Sequence, residues 1–437
     1  MTSNRRTTVL LAAAAVGALA ASGLVHADAA SADTGSDPVS GATSSVGSAV
    51  GSAVGRIRAT PTPKLKLPVT KPNLLMVTVD DMSADDMKYL PTVRKLIGGG
   101  NGTTFSNAIA PTPICVPSRA SLLTGQYAFN HGARTISGPH GGFKSFDNSG
   151  TVATALQAAG YRTMMVGKFL NGYGEGGTRR TVPKGWNQWR ATVDPSTYNY
   201  ERPQFNVNGK IVKPGVYSTT EITRQAKTGL SAMRKSGKPW FGWVNYVAPH
   251  NGGPEGVGDP GRKFRGTDAA IGVPVPAKQD RGAYRNVQIP RKPDLFPTNR
   301  SEFATGSPAR HVFSGLQKRA LRIEYERRIE SLRSVDRNVA SLVRSLQAHG
   351  ELSKTLIIFN SDNGYSTGYH NINGKLWHYN ELLRIPMLMR GPGVPKGRTV
   401  GTTVTEPDIG ATLMAAGGAL PQRVVDGVPI LPRLNLP

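Results

Sequence analysis

Only one cysteine, Cys115, occurs in the 437 residues, so no disulfide can form within the chain. Stability must then come from an apolar core and from any ion the protein binds. The same count excludes zinc sites built from several cysteines. Acidic residues are also scarce: 28 Asp and Glu stand against 53 Lys and Arg, a formal charge of +25. Such an excess favours acidic partners, among them sulfated or phosphorylated polymers and anionic envelopes. No aromatic-and-basic RNA-binding signature, zinc-finger spacing or heptad-backed basic region accompanies it, so no nucleic-acid partner is expected. The bland alternative is a solvated basic surface that serves solubility alone. Internal repeats are missing, and the one extended apolar run is residues 9–25.

That run follows Arg5 and Arg6 and ends in small-residue sites around Ala27-Asp28-Ala29 and Ala30-Ser31-Ala32. It predicts a cleaved secretory signal over 1–32 rather than a membrane anchor, being short and Ala-rich. The paired arginines admit a twin-arginine route, and no cysteine follows for a lipoprotein anchor. Residues 33–71 are Ser, Gly, Ala, Thr and Pro, a composition that cannot bury a core and reads as a tether. A catalytic domain is expected over 72–437, in a protein secreted or held in the cell envelope with no membrane span after processing.

Within that domain, short apolar runs end in reactive polar residues. Asn73–Val79 closes on Asp80-Asp81, Thr163–Val166 on Gly167-Lys168, Phe241–Val247 on Ala248-Pro249-His250, and Leu356–Phe359 on Asn360-Ser361-Asp362-Asn363. Runs of this kind suit strands buried on both faces of a parallel sheet. Ligands gather beyond the carboxyl ends of such strands. Four strand ends therefore deliver carboxylates, a lysine, a histidine and an amide to one edge.

Helices are expected at Thr151–Ala159, stopped by Gly160, and over about 316–349, where Ile323, Ile329, Leu332, Val335, Val339, Leu342, Val343 and Leu346 recur at helical spacing. The charges of the second helix, including Glu326, Glu330, Arg333 and Arg337, are read as a solvated face. Residues 251–310, rich in Gly, Pro, Arg and Lys, are read as a long insertion over the active edge, a lid or substrate-selecting loop. The expected class is α/β, with a large mixed, mostly parallel sheet flanked by helices.

Cys115 precedes Val116-Pro117-Ser118-Arg119 and then Ala-Ser-Leu-Leu, a good helix beginning. Free N–H groups and the positive dipole end at such a turn suit a nucleophile that handles an anion. A buried structural cysteine is the plain alternative. Asp80, Asp81, Asp362 and Asn363 offer hard oxygen ligands of the kind preferred by Ca²⁺ or Mg²⁺. Each pair alone could equally cap a helix or turn.

Cys115-Val116-Pro117-Ser118-Arg119 with Leu122-Leu123-Thr124-Gly125 resembles the signature of the formylglycine-dependent sulfatases, in the alkaline phosphatase superfamily. The order of the other motifs extends the resemblance from about Pro72 to Pro432. It implies an alkaline phosphatase-like fold and conversion of Cys115 to formylglycine by a formylglycine-generating enzyme. The aldehyde hydrate would attack an anionic sulfate ester. The resemblance places Ca²⁺, in preference to Mg²⁺, on Asp80, Asp81, Asp362, Asn363 and the hydrate at Cys115. It gives Arg119, Lys168 and Lys375 the sulfate charge, Asp362 the proton of the attacking hydroxyl, and His250 the protonation of the leaving group. Lys375 is assigned from Gly374-Lys375 with Tyr379 and Glu381, similar to the family's Gly-Lys-x-x-x-Tyr-x-Glu segment.

Two departures stand out. Many sulfatases carry a histidine two residues after the Gly-Lys lysine, where this chain has Leu170. Gly167-Lys168-Phe169-Leu170-Asn171-Gly172-Tyr173 resembles instead the subgroup containing N-acetylglucosamine-6-sulfatases and arylsulfatases. His131 is the candidate to share the missing histidine's role, with a place at a helix C-terminus as the alternative; His140, His370 and His378 are expected at the surface or in support. Residues 402–427 resemble the segment before a small antiparallel C-terminal subdomain, so 402–437 is read as a shortened form with that subdomain abbreviated or absent. The substrate alcohol stays open between sulfated sugars and aryl sulfates. Rival readings are a phosphomonoesterase, phosphodiesterase or phosphonate hydrolase on the same site, and a non-catalytic binder of sulfated polyanions with Cys115 unmodified.

Overall fold

Every residue from Asn73 to Val79 is buried, as in a strand covered on both faces. Its side chains alternate between two apolar layers: Leu74 and Met76 join one, Leu75, Val77 and Val79 the other. The computed structural model describes residues 71–434 except 302. The signal and most of the tether expected before Pro72 lie outside the described residues.

The strands in chain order are β1 (Asn73–Val79), β2 (Thr103–Ile109), β3 (Arg162–Gly167), β4 (Gln188–Thr192), β5 (Phe205–Val207), β6 (Lys210–Val212), β7 (Trp240–Asn245), β8 (Thr355–Ser361), β9 (Ser366–Thr367), β10 (Asn373–Gly374), β11 (Arg384–Arg390), β12 (Arg398–Val400) and β13 (Val404–Thr405). Eleven form one sheet in the order β12-β2-β11-β8-β1-β7-β3-β4-β5-β6, with β13 also on β2. The centre, β8-β1-β7-β3-β4, is parallel. β11 and the β5-β6 hairpin run antiparallel. This is the mixed, mostly parallel sheet expected. Register matters for function: Val79 faces Ser361, Thr78 faces Asn245, and Gly167 faces Asn245. The four central strands therefore end level, and the residues that follow them meet.

One apolar layer holds the helices Cys115–Thr124, Val152–Ala158 and Glu406–Ala416, and the other holds Pro91–Ile97, Ser218–Arg234 and Gly315–Ala348. Capping boxes fix the starts of three of them, Thr405 with Asp408 opening Glu406–Ala416. Thr151 with Thr154 opens Val152–Ala158, and Ser314 with Gln317 opens the 34-residue helix Gly315–Ala348.

The charges of that long helix correct the solvated-face expectation. Glu324, Glu326, Arg327, Arg328 and Glu330 are buried. The insertion covers part of this face, Asp259 pairing with Arg327 at 2.8 Å and the Gly282 N–H donating to Glu330 at 2.6 Å, while Arg333 and Arg337 stay exposed as expected and donate to Asp280 at 3.2 and 2.7 Å. Ion pairing satisfies charges that burial would otherwise penalise heavily. The insertion itself contains few regular elements. It packs on the long helix through a small core that includes Ile289, Phe313, Leu321, Tyr325, Ile329 and Tyr369.

Candidate active site

The chain leaves β1 through Asp80 and Asp81, both buried. Asp81 has φ +67°, a left-handed backbone that a non-glycine residue holds only when its surroundings enforce it. They do so from β8: the Asp81 N–H donates to Asp362 Oδ1 at 3.1 Å, and the Met82 N–H to Ser361 Oγ at 2.9 Å. Arg328 adds a third restraint, its guanidinium donating to the Asp81 carbonyl and, at 3.2 Å, to the Pro249 carbonyl. The same guanidinium lies 3.9 Å from the centre of the Tyr365 ring.

Cys115 is the first residue of its helix, after an extended Ile114. Its Sγ receives Lys168 Nζ at 3.2 Å and Lys375 Nζ at 2.7 Å, and lies 3.5 Å from Asp80 Oδ1. Lys168 is also paired with Asp80, and Lys375 with Asp81. Burial, reinforced by the Asp80 carboxylate, pushes the thiol up to about 12. As a free thiol it is thus held protonated and poorly nucleophilic. One turn along, Arg119 Nε binds Asp362 Oδ2 at 2.8 Å, while its Nη1 donates to the Lys168 carbonyl and to Asn245 Oδ1, each at 3.0 Å.

Burial lowers His250 to about 4, with Lys375 and Lys168 acting in the same direction and Asp81 and Asp80 against it. Its Nδ1 meets the Asn251 carbonyl at 2.7 Å, which leaves Nε2 facing Asp81 Oδ2 at 3.6 Å. Burial and Asp80 raise Asp362. Burial disfavours the Asp80 carboxylate, yet Lys168, His250, Arg119 and Lys375 together hold it well below the usual range.

Ligand atoms of Asp80, Asp81, Cys115 and His250 all lie within 4.8 Å of one another. Asp81 Oδ2 and Asn363 Oδ1 are buried with no hydrogen-bond partner. Two unsatisfied hard oxygens beside a second carboxylate are what a Ca²⁺-type cation would satisfy, so the residues fit such an ion. Asp362 is turned toward Arg119 and the Asp81 N–H, while Asn363 Nδ2 donates to Asp81 Oδ1 at 2.7 Å.

The structure thus gathers Asp80, Asp81, Cys115, Arg119, Lys168, His250, Asp362, Asn363 and Lys375. His131 stands apart: its ring meets Ser121 Oγ at 3.1 Å and the Ala133 N–H at 3.2 Å, and no contact joins it to Cys115 among the described residues. Burial lowers it to about 4. His140 and His378 are exposed, and His370 pairs with Asp294 and Glu381. Leu170 is buried in the apolar layer that also holds Val116 and Ala120. Sequence reasoning missed Asn245, Arg328 and Tyr198. Tyr198 packs against His250 with centroids 4.6 Å apart and the rings tilted by 33°, and its ring centre lies 5.2 Å from Lys168 Nζ. The signal for it was faint, because β4 is short and carries Arg190.

The Sulfatase family model matches residues 72–419. An arylsulfatase of Volvox carteri is 30% identical over 381 residues, covering 82% of this chain and 58% of that protein. The N-acetylglucosamine-6-sulfatase of Homo sapiens is 31% identical over 383 residues, covering 84% of this chain and 64% of its own length. The chain therefore spans about three fifths of these relatives. Among solved structures, a protein in complex with D-glucosamine-2-N,6-O-disulfate superposes with a TM-score of 0.66 at 22% identity, over 84% of this chain and 80% of that one. A phosphonate monoester hydrolase from Silicibacter pomeroyi gives 0.57 at 22%, over 83% and 76%. These two likenesses concern the fold alone. Together with the site's geometry, the match over 72–419 makes this chain a member of the sulfatase family.

Proposed function

We propose that the protein is an exported sulfuric ester hydrolase acting on sulfate monoesters, with Cys115 converted to formylglycine by a formylglycine-generating enzyme and Ca²⁺ bound beside it. The observation that carries this reading is the placement of Cys115 Sγ between the Lys168 and Lys375 ammonium groups, next to Asp80. With both groups in place, the site gains a geminal-diol nucleophile and a cation that neutralises sulfate oxygens. Asp80, Asp81 and Asn363 would hold the ion, together with Asp362 and the oxygen at position 115.

The remaining chemistry belongs to the chain's own side chains. Lys168, Lys375 and Arg119 bind and orient the sulfate oxygens around position 115. Asp362, kept in place by Arg119, accepts the proton of the attacking hydroxyl as sulfur exchanges its bond to the alcohol for one to that oxygen. His250 Nε2 faces the site and protonates the departing alcohol oxygen once the ring has gained a second proton, which burial and the two lysines oppose until an anionic ester enters. Export is supported by the Met1–Ala32 pattern.

Protein co-expressed with the converting enzyme should carry an aldehyde at residue 115 by peptide mass spectrometry and release sulfate from an aryl or sugar sulfate. Cys115→Ala should lower that rate by at least about 10³-fold. Equal rates for the two proteins would dismiss the assignment. An intact thiol in such a preparation would favour the non-catalytic polyanion binder, and faster cleavage of the matched phosphate ester would favour a phosphoesterase.

A further inference from the structure

Beyond Tyr198 the loops 136–144, 171–175 and 194–198 enclose a cavity of about 420 Å³. That is within the roughly 300–1,000 Å³ of small-molecule sites. The loops are tied together: the Phe143 N–H donates to the Asn171 carbonyl at 2.8 Å, the Gly172 N–H to Asp194 Oδ2 at 2.7 Å, and Asn171 Nδ2 to the Tyr198 hydroxyl at 2.9 Å. Charges around Cys115 are mutually paired, but two of those lining this cavity are not. The Glu175 carboxylate and the Lys144 ammonium have neither hydrogen bond nor ion pair among the described residues. Asn171 Oδ1 is buried and lacks a partner.

We propose that this cavity is the subsite for the leaving alcohol and that the alcohol is a sugar ring. The inference rests on the sulfatase reading above. His250 protonates the departing oxygen, so the carbon skeleton bonded to that oxygen extends along His250, and Tyr198 is the side chain packed against it. A pyranose supplies what the wall lacks. Its hydroxyls donate to Glu175 and Asn171 Oδ1 and accept from Lys144, while a C–H face rests on the Tyr198 ring. An aryl group offers no such donors, so it leaves the buried Asn171 Oδ1 unpaired and gains nothing from Glu175 or Lys144.

The test compares kcat/KM for N-acetylglucosamine 6-sulfate and 4-nitrophenyl sulfate in wild type, Glu175→Gln and Lys144→Ala, each with its formylglycine content matched by mass spectrometry. Glu175 and Lys144 are both exposed, so neither change threatens folding. Loss of one charged hydrogen bond should lower the sugar-to-aryl ratio about tenfold, chiefly through KM. An unchanged ratio in both variants would overturn the subsite. Wild type that releases sulfate from neither ester would instead overturn the sulfatase reading on which it rests.

Discussion

The two unpaired oxygens, Asp81 Oδ2 and Asn363 Oδ1, make a quantitative statement about ion binding. Calcium at about 100 times its Kd should stabilise the fold by about 2.7 kcal/mol, raising Tm, and a chelator should reverse the gain. Asn363→Ala should lose most of it, having given up one ligand and the hydrogen bond to Asp81. A melting temperature indifferent to calcium and chelator alike would remove the ion from the site. Most side chains gathered at the site were legible in the sequence for one physical reason. Asp80, Lys168, His250 and Asp362 each follow a bare apolar run, and such a run reports both a buried strand and the edge where it ends. Tyr198 and Asn171 follow no such run, and a contact such as that of Tyr198 with His250 arises only when β4 is placed next to β3. His131 shows the opposite failure, a plausible residue type near the motif whose helix carries it to Ser121 instead.

At the scale of the element, the long helix Gly315–Ala348 was legible in its length and apolar stripe, because period and capping are local properties. Its charged residues were not, since nothing local says that residues 251–310 fold back over them. Arg328 is the case with functional weight. It ties the Asp81 and Pro249 carbonyls together, and thus the strand end bearing two acids to the loop bearing His250. Arg328→Met should cost about 3 kcal/mol, as two carbonyls lose a buried charged donor and Glu324 loses its neighbouring cation. Arg328→Lys keeps the charge without the planar fork and should recover part of that loss. Calcium affinity should still fall at least about tenfold, the usual effect of disturbing groups that orient ligands. Urea unfolding with parallel calcium titration separates the two effects, and wild-type affinity in Arg328→Lys would show that Arg328 serves stability alone.

On the scale of the whole molecule, the charge of +25 has to be located before it can be interpreted. It does not reside at the site, where Arg119, Lys168 and Lys375 are balanced by Asp80, Asp81 and Asp362. The surplus is therefore carried elsewhere on the chain, where it acts through a field that ionic strength screens, over about 10 Å at 0.1 M salt and about 3 Å at 1 M. On the proposed function, a small sulfate ester would meet chiefly the buried, paired groups around Cys115. A sulfated polymer would meet the basic exterior as well, and its capture should be accelerated by steering. Raising NaCl from about 0.05 M to 0.5 M should then lower kcat/KM for a sulfated polysaccharide at least about tenfold, while the monosaccharide ester changes by less than about threefold. Parallel curves for the two substrates would mean that the basic surface serves solubility and takes no part in substrate capture.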